Sequence, residues 1–245
     1  MIKPDGKRFL YRAHAVGVAG SFRKPYREYV DAQASCALAI TGGVASSSVR
    51  DFSYRNIMSF SLAESSILGQ PGETEGVYTT LSTVTIEDFN VMNMITADRI
   101  VARLSSRTYS DGQEAAFLAI GSHFDNLRVA GQPVSMDLDG EILSKWETYE
   151  QARAGYQERD HCKIPDHQLI CRSIVYNISE PAGTTVTGNR IDIPHFGSVY
   201  LGEIYVLGKS RRVVMMRIAF GCPVDGDGSA GDVENNGEPY PPLAG

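Results

Sequence analysis

The chain has 245 residues, of which 42% are hydrophobic and 21% are charged, and its formal net charge is −6. This is the composition of a globular protein, and the length suffices for one large β domain or two small ones. The charge excludes a basic surface for nucleic acid and a polybasic patch for anionic lipid. No apolar run approaches the roughly 18 residues of a membrane-spanning helix. We therefore expect no nucleic acid partner and no membrane span.

The first residues do not have the form of a secretory signal. Arg12 and His14 interrupt the apolar stretch that such a signal requires. The compartment stays open at this point. We expect a cytoplasmic protein if the numbering begins at the native start, and a cell-surface or extracellular protein if a signal was removed.

Alternating apolar and polar residues run through most of the chain. Residues 84–104 contain two such stretches with a short connection, which is typical of a β-hairpin. Residues 30–40 alternate in the same way, and residues 77–86 are rich in threonine, which suits a pleated and half-buried surface. These patterns predict an all-β fold, either a β-sandwich or stacked, duplicated β units.

A six-residue pattern recurs around this hairpin at a spacing of about 37 residues. Its third positions are Asp51, Asp88 and Asn126, and a looser copy contains Glu203 there; each copy has apolar residues at its first, fourth and sixth positions. Such self-similarity indicates a duplicated supersecondary unit, although β-strands also produce similar hexads by chance. We predict one β-rich domain over residues 1–222, with repeated units near residues 47–68, 84–104, 121–138 and 197–220.

One segment departs from the β pattern. Ile142, Trp146, Tyr149 and Tyr156 lie at the spacing of an apolar stripe on a helix. The spacing predicts one amphipathic helix over about residues 141–158, lying across the sheet or at one end of it. Trp146 is then a core anchor rather than a platform for a sugar ring.

The C-terminal segment has a different composition. Residues 223–245 contain five acidic residues, no lysine or arginine, and many glycines and prolines. Such a segment cannot form a core of its own. We therefore predict an acidic tail over residues 223–245, either solvated or held by a neighbouring subunit.

The sequence contains no nucleophile elbow, HExxH or P-loop. His14, His123 and His195 are isolated residues near strands and are more often structural than catalytic. We expect a protein that is not an enzyme, with no catalytic, cofactor-binding or metal-binding residues and no cofactor.

Residues 161–171 contain the densest group of possible ligands. His161, Cys162, His167 and Cys171 carry the atoms that a zinc site needs, but their spacing matches no standard site. Cys162 and Cys171 could instead form a disulfide, and the spacing does not decide between the two. Cys36 lies in an alternating strand pattern and is interpreted as a small buried hydrophobic residue.

Three further runs stand out: residues 85–91, the Thr-Ala-Asp step within residues 95–98, and the Asn-Leu-Arg-Val-Ala-Gly-Gln-Pro-Val run at residues 126–134. These runs resemble the core of a family of bacterial surface proteins called choice-of-anchor P. Residues 197–203 are similar to the closing strand of that family. The resemblance covers about half of the chain and implies a β-rich, noncatalytic surface module with no defined activity. We expect the chain to lack the signal peptide and the C-terminal anchor of that family, so the resemblance implies the β-rich fold and leaves the surface location open.

The leading functional hypothesis is a noncatalytic structural or self-assembling subunit that forms a homo-oligomer or polymer. Open sheet edges, the small-residue face of Ala13, Ala15 and Gly17, and the acidic tail would supply the contacts. One alternative is a carbohydrate- or ligand-binding β-sandwich module. The second is a metal-dependent enzyme that uses the cluster at residues 161–171.

The ligand-binding alternative depends on exposed aromatic side chains. Tyr54, Tyr78 and Tyr205 are the candidates, because aromatic rings on a concave β face can stack against a sugar or another flat ligand.

Overall fold

The computed structural model describes residues 8–24, 26–111, 113, 115–145, 148–154, 169–221 and 224–240. Most of these residues lie in antiparallel strands, because β-branched and alternating segments favour a pleated surface with one buried face. Two large sheets pack against each other around one apolar core. The prediction of an all-β, sandwich-like fold is confirmed.

The strands in chain order are β1 (Arg8–Phe22), β2 (Glu28–Ala37), β3 (Gly43–Tyr54), β4 (Met58–Pro71), β5 (Val77–Val91), β6 (Ile95–Tyr109), β7 (Ala116–Leu118), β8 (His123–Asp125), β9 (Arg128–Val129), β10 (Gln132–Pro133), β11 (Asp137–Leu138), β12 (Leu169–Ser173), β13 (Val175–Tyr176), β14 (Thr185–Thr187), β15 (Arg190–Ile193), β16 (Gly197–Leu207), β17 (Ser210–Phe220) and β18 (Gly226–Tyr240). The first sheet has the order β14-β15-β16-β17-β18-β1-β2, and β12 also pairs with β16. The second sheet has the order β10-β9-β6-β5-β4-β3, and β7 and β8 also pair with β6. Strands β11 and β13 form a small separate pair.

The expected hairpin at residues 84–104 is part of two long strands, β5 and β6. The pairing runs from Val77 opposite Tyr109 to Val91 opposite Ile95. Met92 and Asn93 make the tight connection with backbone φ of 52° and 55°. The predicted strands and their short connection are confirmed, and the strands extend beyond the predicted bounds.

A row of left-handed residues crosses the second sheet at the centres of the recurring hexads. Asp51, Asp88 and Asn126 have φ of 52°, 51° and 51°. Aspartate and asparagine tolerate this conformation better than most residues. In β5 the buried face changes phase there, since Ile86 and Phe89 are both buried on either side of Asp88. The hexads therefore mark the point where each strand reverses its inward and outward positions.

The first sheet has an equivalent row. Gly202, Gly231 and Ala34 have φ of 63°, 68° and 48°, and the strand register places Gly17 opposite both Gly231 and Ala34. The fourth hexad is offset, because Gly202 rather than Glu203 has the positive φ. The division of residues 1–222 into repeated units stays a prediction.

The small-residue face of β1 faces the other sheet. A Cβ atom added at Gly17 would lie 3.2 Å from the Cβ of Ala63 in the second sheet and 2.9 Å from the carbonyl oxygen of Gln33. Ala15 and Ala63 are fully buried beside it. This face was expected to supply contacts to a second subunit, but it packs against a sheet of the same chain and is not available for that role.

The prediction of an acidic tail is wrong for residues 226–240. These residues form β18, which pairs with β17 on one side and with β1 on the other. The inward positions carry small or apolar residues such as Gly228, Ala230 and Val233, and Gly228 leaves room for Met58. A Gly-rich strand fits here because the opposite sheet comes so close.

The acidic side chains of β18 have partners on neighbouring strands; Asp232 is buried, and the others are partly exposed. Asp232 receives a bidentate hydrogen bond from Arg212 of β17, with 2.8 Å between Nε and Oδ1. Glu234 lies 3.6 Å from His14 of β1, and Glu238 lies 3.1 Å from Arg12. The charge that suggested a solvated tail is therefore distributed along a paired strand.

Asn235 of β18 connects the two sheets through the core. Its side chain is fully buried. Its Nδ2 donates to the carbonyl oxygens of Leu104 at 2.8 Å and Thr80 at 3.4 Å, and the Ser82 hydroxyl donates to its Oδ1 at 2.5 Å. A buried amide needs such partners, because an unsatisfied polar group in the core is costly.

The single helix expected over about residues 141–158 is not present in the described part of that segment. A 3-10 helix spans Ile142–Lys145, and a short α-helix, α1, spans Tyr149–Ala154. Thr148 caps α1, because the backbone N–H of Gln151 donates to its hydroxyl at 3.0 Å and the Gln151 side chain accepts from the N–H of Thr148 at 3.1 Å. Because the cap at Thr148 marks the start of a new helix, α1 does not continue the 3-10 helix, and the apolar stripe predicted for a single helix is interrupted there. Trp146 and Tyr156 lie outside the described residues.

No helix in the described part of the chain combines the length and the hydrophobicity that a membrane span requires.

Replacing Asn235 with alanine should destabilise the protein by about 1–3 kcal/mol, because the Leu104 carbonyl and the Ser82 hydroxyl lose their buried partner. The measurement is the free energy of unfolding in urea. The control is Asn236→Ala on the same strand, which faces outward and should change stability by less than about 0.5 kcal/mol. Equal effects of the two substitutions would contradict the connection between sheets.

Candidate functional site

Two edge strands lie side by side on one flank of the sandwich. Strand β2 pairs with β1 and strand β3 pairs with β4, and neither has a second ladder partner among the described residues. Residues 38–42 carry the chain from the first sheet to the second, and the Cys36 Sγ lies 3.9 Å from the carbonyl oxygen of Ala45. We call this flank, formed by β2 and β3, the open flank.

Strand β3 has twelve residues and no second ladder partner among the described residues, although the Cys36 thiol of β2 donates a hydrogen bond to its Ala45 carbonyl oxygen. Alternate N–H and C=O groups of an edge strand point away from its neighbour and can pair with another strand. The exposed side chains of β3 include Ser46, Ser48 and Ser53, and its charged residues are Arg50 and Asp51. This edge therefore has little of the charge that protects many natural edge strands.

Large apolar side chains are exposed at one end of the open flank. Val44 is 75% exposed and Ile40 is 61% exposed. Leu68 of β4 lies directly opposite Val44 and is 36% exposed. Grouped exposed apolar residues are typical of interaction surfaces, whereas single ones are common on any protein.

A polar tie joins the two edge strands at the other end. Glu28 of β2 accepts a hydrogen bond from the Tyr54 hydroxyl of β3 and lies 2.7 Å from the Arg55 guanidinium. The Tyr54 ring stacks on Phe22 with 5.5 Å between ring centroids. The hydrogen bond to Glu28 raises the pKa of Tyr54 above its ordinary value, with smaller contributions from burial and from the charge of Glu28.

The other aromatic candidates also pack against neighbours. Tyr78 stacks on Phe9 with 4.3 Å between ring centroids. The Tyr205 hydroxyl donates to Glu203 at 2.8 Å. Tyr54, Tyr78 and Tyr205 therefore lie in three separate environments and do not form one aromatic surface.

Glu203 belongs to a buried ion pair of the first sheet. Its side chain is 1% exposed and accepts two hydrogen bonds from Arg217, at 2.7 and 2.8 Å. Burial alone would lower the pKa of Arg217, but the hydrogen bond and the charge of Glu203 raise it above its ordinary value. The guanidinium also lies over the Tyr200 ring. Arg217 therefore stays charged and pairs with Glu203.

The metal hypothesis remains a prediction, because His161, Cys162 and His167 lie outside the described residues, as does the side chain of Cys171. In the part of the chain that the structure describes, no group of three or more His, Cys, Asp or Glu side chains could hold a metal ion. Cys36 is a free thiol that is only partly buried, and it accepts a hydrogen bond from Ser65 at 3.2 Å.

The predicted structural histidines lie apart from one another. His14 is 3.6 Å from Glu234, and His123 is 3.7 Å from Asp125. His195 has a φ of 62° in the turn between β15 and β16.

A family model described as a domain of unknown function (DUF8256) matches residues 9–168 and 144–207. The first match alone spans more than half of the chain. The chain belongs to the DUF8256 family. No curated protein and no solved structure matches it.

Sequence reasoning did not find the open flank of this DUF8256 chain. The hexad at residues 49–54 correctly indicated a strand, but a strand pattern does not state how many neighbours the strand has. One signal was available: Val44 is apolar at a position where the alternation of Ala45 and Val49 predicts an outward side chain.

In the DUF8256 chain, the hydrogen bond from Tyr54 to Glu28 should make the stability of the fold depend on pH. Because the pKa of Tyr54 is raised in the folded state, its hydrogen bond stabilises the fold below the ordinary tyrosine pKa of about 10, and this contribution is lost as the pH rises through the folded value. Tyr54→Phe should therefore lose less stability than the wild type as the pH is raised above about 10.

The measurement for this prediction is the urea midpoint from pH 8 upward. Tyr29→Phe, which removes an exposed hydroxyl from β2, is the matched control and should follow the wild type. Identical profiles for Tyr54→Phe and the wild type would show that the tie does not form.

Proposed function

We propose that this protein is a noncatalytic structural subunit that assembles with copies of itself through the edge strand β3. The observation that supports the proposal is that the twelve-residue strand β3 has no second ladder partner among the described residues, with Val44 exposed at one end of it. A strand from another molecule can continue the ladder there, because edge peptide groups are unpaired on their outer side.

The charges of β3 are compatible with pairing between two copies. In a symmetric antiparallel pair centred near Ser48, Arg50 and Asp51 both lie on one side of the centre. Neither residue then meets its own copy, so no like charges face each other across the pair. The two second sheets would join into one continuous sheet.

The contacts proposed here differ from those expected from sequence. Residues 226–240 and the small-residue face of β1 are used within the chain, so the assembly proposal depends on the open flank instead. The resemblance to choice-of-anchor P surface proteins supports a noncatalytic module of the same general kind.

The carbohydrate-binding alternative has weaker support. It requires aromatic rings arranged on one accessible surface. Tyr54 and Tyr78 instead stack on Phe22 and Phe9. The metal-dependent enzyme remains an alternative because its candidate residues lie outside the described chain.

The test is the mass of the protein in solution by light scattering over a range of concentrations. The wild type should give a multiple of its 26.7 kDa chain mass. The double variant Val44→Lys/Ser48→Lys should raise the dissociation constant by about ten-fold or more, because lysines on an edge strand oppose pairing.

The control for this test is Thr83→Lys on the central strand β5. Thr83 points to the same outer face as Ser48 but lies away from the edge. The Thr83→Lys variant should have the same mass in solution as the wild type. A wild-type protein that stays at 26.7 kDa at high concentration would contradict the assembly proposal.

A further inference from the structure

A groove of about 600 Å³ lies on the outer face of the second sheet, over strands β4 to β7. We call it the outer groove. Its volume is within the range of small-molecule sites in proteins. It shares Leu68 with the apolar end of the open flank, whereas its charged residues Arg103 and Arg107 lie on β6, away from the ladder edge of β3.

The strand register places an apolar row along the floor of this groove. Leu68 lies opposite Leu81, Leu81 opposite Ser105, and Ser105 opposite Leu118. Adjacent strands are about 4.8 Å apart, so the part from Ser105 to Leu68 spans roughly 10 Å. Val44 extends the same row by one more strand.

Two arginines flank the row where it crosses β6. Arg103 and Arg107 are each two positions from Ser105 and point to the same face, since side chains alternate along a strand. Positions two apart on a strand are separated by roughly 7 Å, so both guanidinium groups can reach a ligand above Ser105.

No carboxylate among the described residues balances the positive charge of these arginines. The described residues that line the groove include no carboxylate. Arg103 and Arg107 form no ion pair with any described side chain, whereas Arg99 on the same strand pairs with Glu87 at 3.0 Å. In an acidic protein, such a pair of unbalanced arginines attracts an anion.

Arg103 and Arg107 are the charged donors among the described residues that line the groove, and two of its hydroxyl groups already have partners within the sheet. The Ser105 hydroxyl donates to the Leu118 carbonyl oxygen at 3.3 Å, and the Thr79 hydroxyl donates to the Gln70 carbonyl oxygen at 3.3 Å. These hydroxyls are therefore satisfied within the sheet. A guanidinium group is the donor that best matches a carboxylate, because it can form two parallel hydrogen bonds.

We propose that the outer groove binds a carboxylate with an extended apolar tail. The carboxylate lies above Ser105 between Arg103 and Arg107, and the tail follows Leu81 and Leu68 towards the edge of the sheet. Both halves of the ligand contribute, because the charged head supplies orientation and the tail supplies buried apolar area.

The test is isothermal titration of the purified protein with decanoate. We expect saturable binding at one site per chain. 1-Decanol and decyltrimethylammonium, which have the same tail without the negative charge, should bind at least about ten-fold more weakly, and acetate, which has the charge without the tail, should not bind detectably.

Substitutions of the residues that line the outer groove test whether decanoate binds there. Arg103→Gln/Arg107→Gln should weaken decanoate binding by about ten-fold or more, and Leu68→Ser should weaken it several-fold. Arg50→Gln removes an exposed arginine from the same sheet outside the groove, and it should leave the affinity unchanged. Circular dichroism checks that each variant is folded.

A second measurement uses only the wild-type protein, so it tests the proposal even if a variant fails to fold. Decanoate should slow hydrogen exchange of the wild-type protein at residues 79–83, 103–107 and 116–120. The proposal is overturned if decanoate does not bind saturably, if decyltrimethylammonium binds equally well, or if the protected residues lie elsewhere.

Discussion

The pairing of β18 between β17 and β1 is the interaction on which the rest of the structure depends. Without it, strands β14 to β17 would form one sheet fragment and strands β1 and β2 another, because β18 is the ladder that joins them. Asn235 on the same strand adds three hydrogen bonds to the second sheet. One segment near the C-terminus therefore completes a sheet and also fixes its position on the opposite sheet.

Close approach of the sheets explains the unusual composition of that strand. Small residues at Gly17, Ala63 and Gly228 allow backbones and side chains to meet across the core. The rows of left-handed residues cross the strands near this zone, and each strand changes its buried face there. The change of phase lets strands of up to 15 residues keep an apolar inner face along their whole length.

The sequence predicted those features that depend on local alternation. The β5–β6 hairpin was predicted because its apolar positions alternate and its connection is short. The strand at residues 226–240 was missed because its inward positions carry glycine, alanine and asparagine, which do not produce an apolar pattern. Its acidic residues also suggested solvation, whereas cross-strand partners such as His14 and Arg12 lie at the other end of the sequence.

The open flank and the outer groove illustrate the same limit at the level of the site. Both surfaces exist because of which strands are neighbours in the sheets. Val44 and Leu68 become neighbours only because β3 pairs with β4, and Arg103 and Leu81 meet only because β5 pairs with β6. A linear pattern shows which side chains share a face, but the topology decides which face is free and which charges stay unbalanced.

Native-state hydrogen exchange of residues 226–240 tests the central role of β18 most directly. We expect the amides of β18 that pair with β1 and β17 to exchange only through global unfolding, with the same free energy as the amides of β5 and β6. Exchange at the rate of an unstructured peptide would show that this segment is a solvated tail, and it would contradict the role of β18 in joining the sheet.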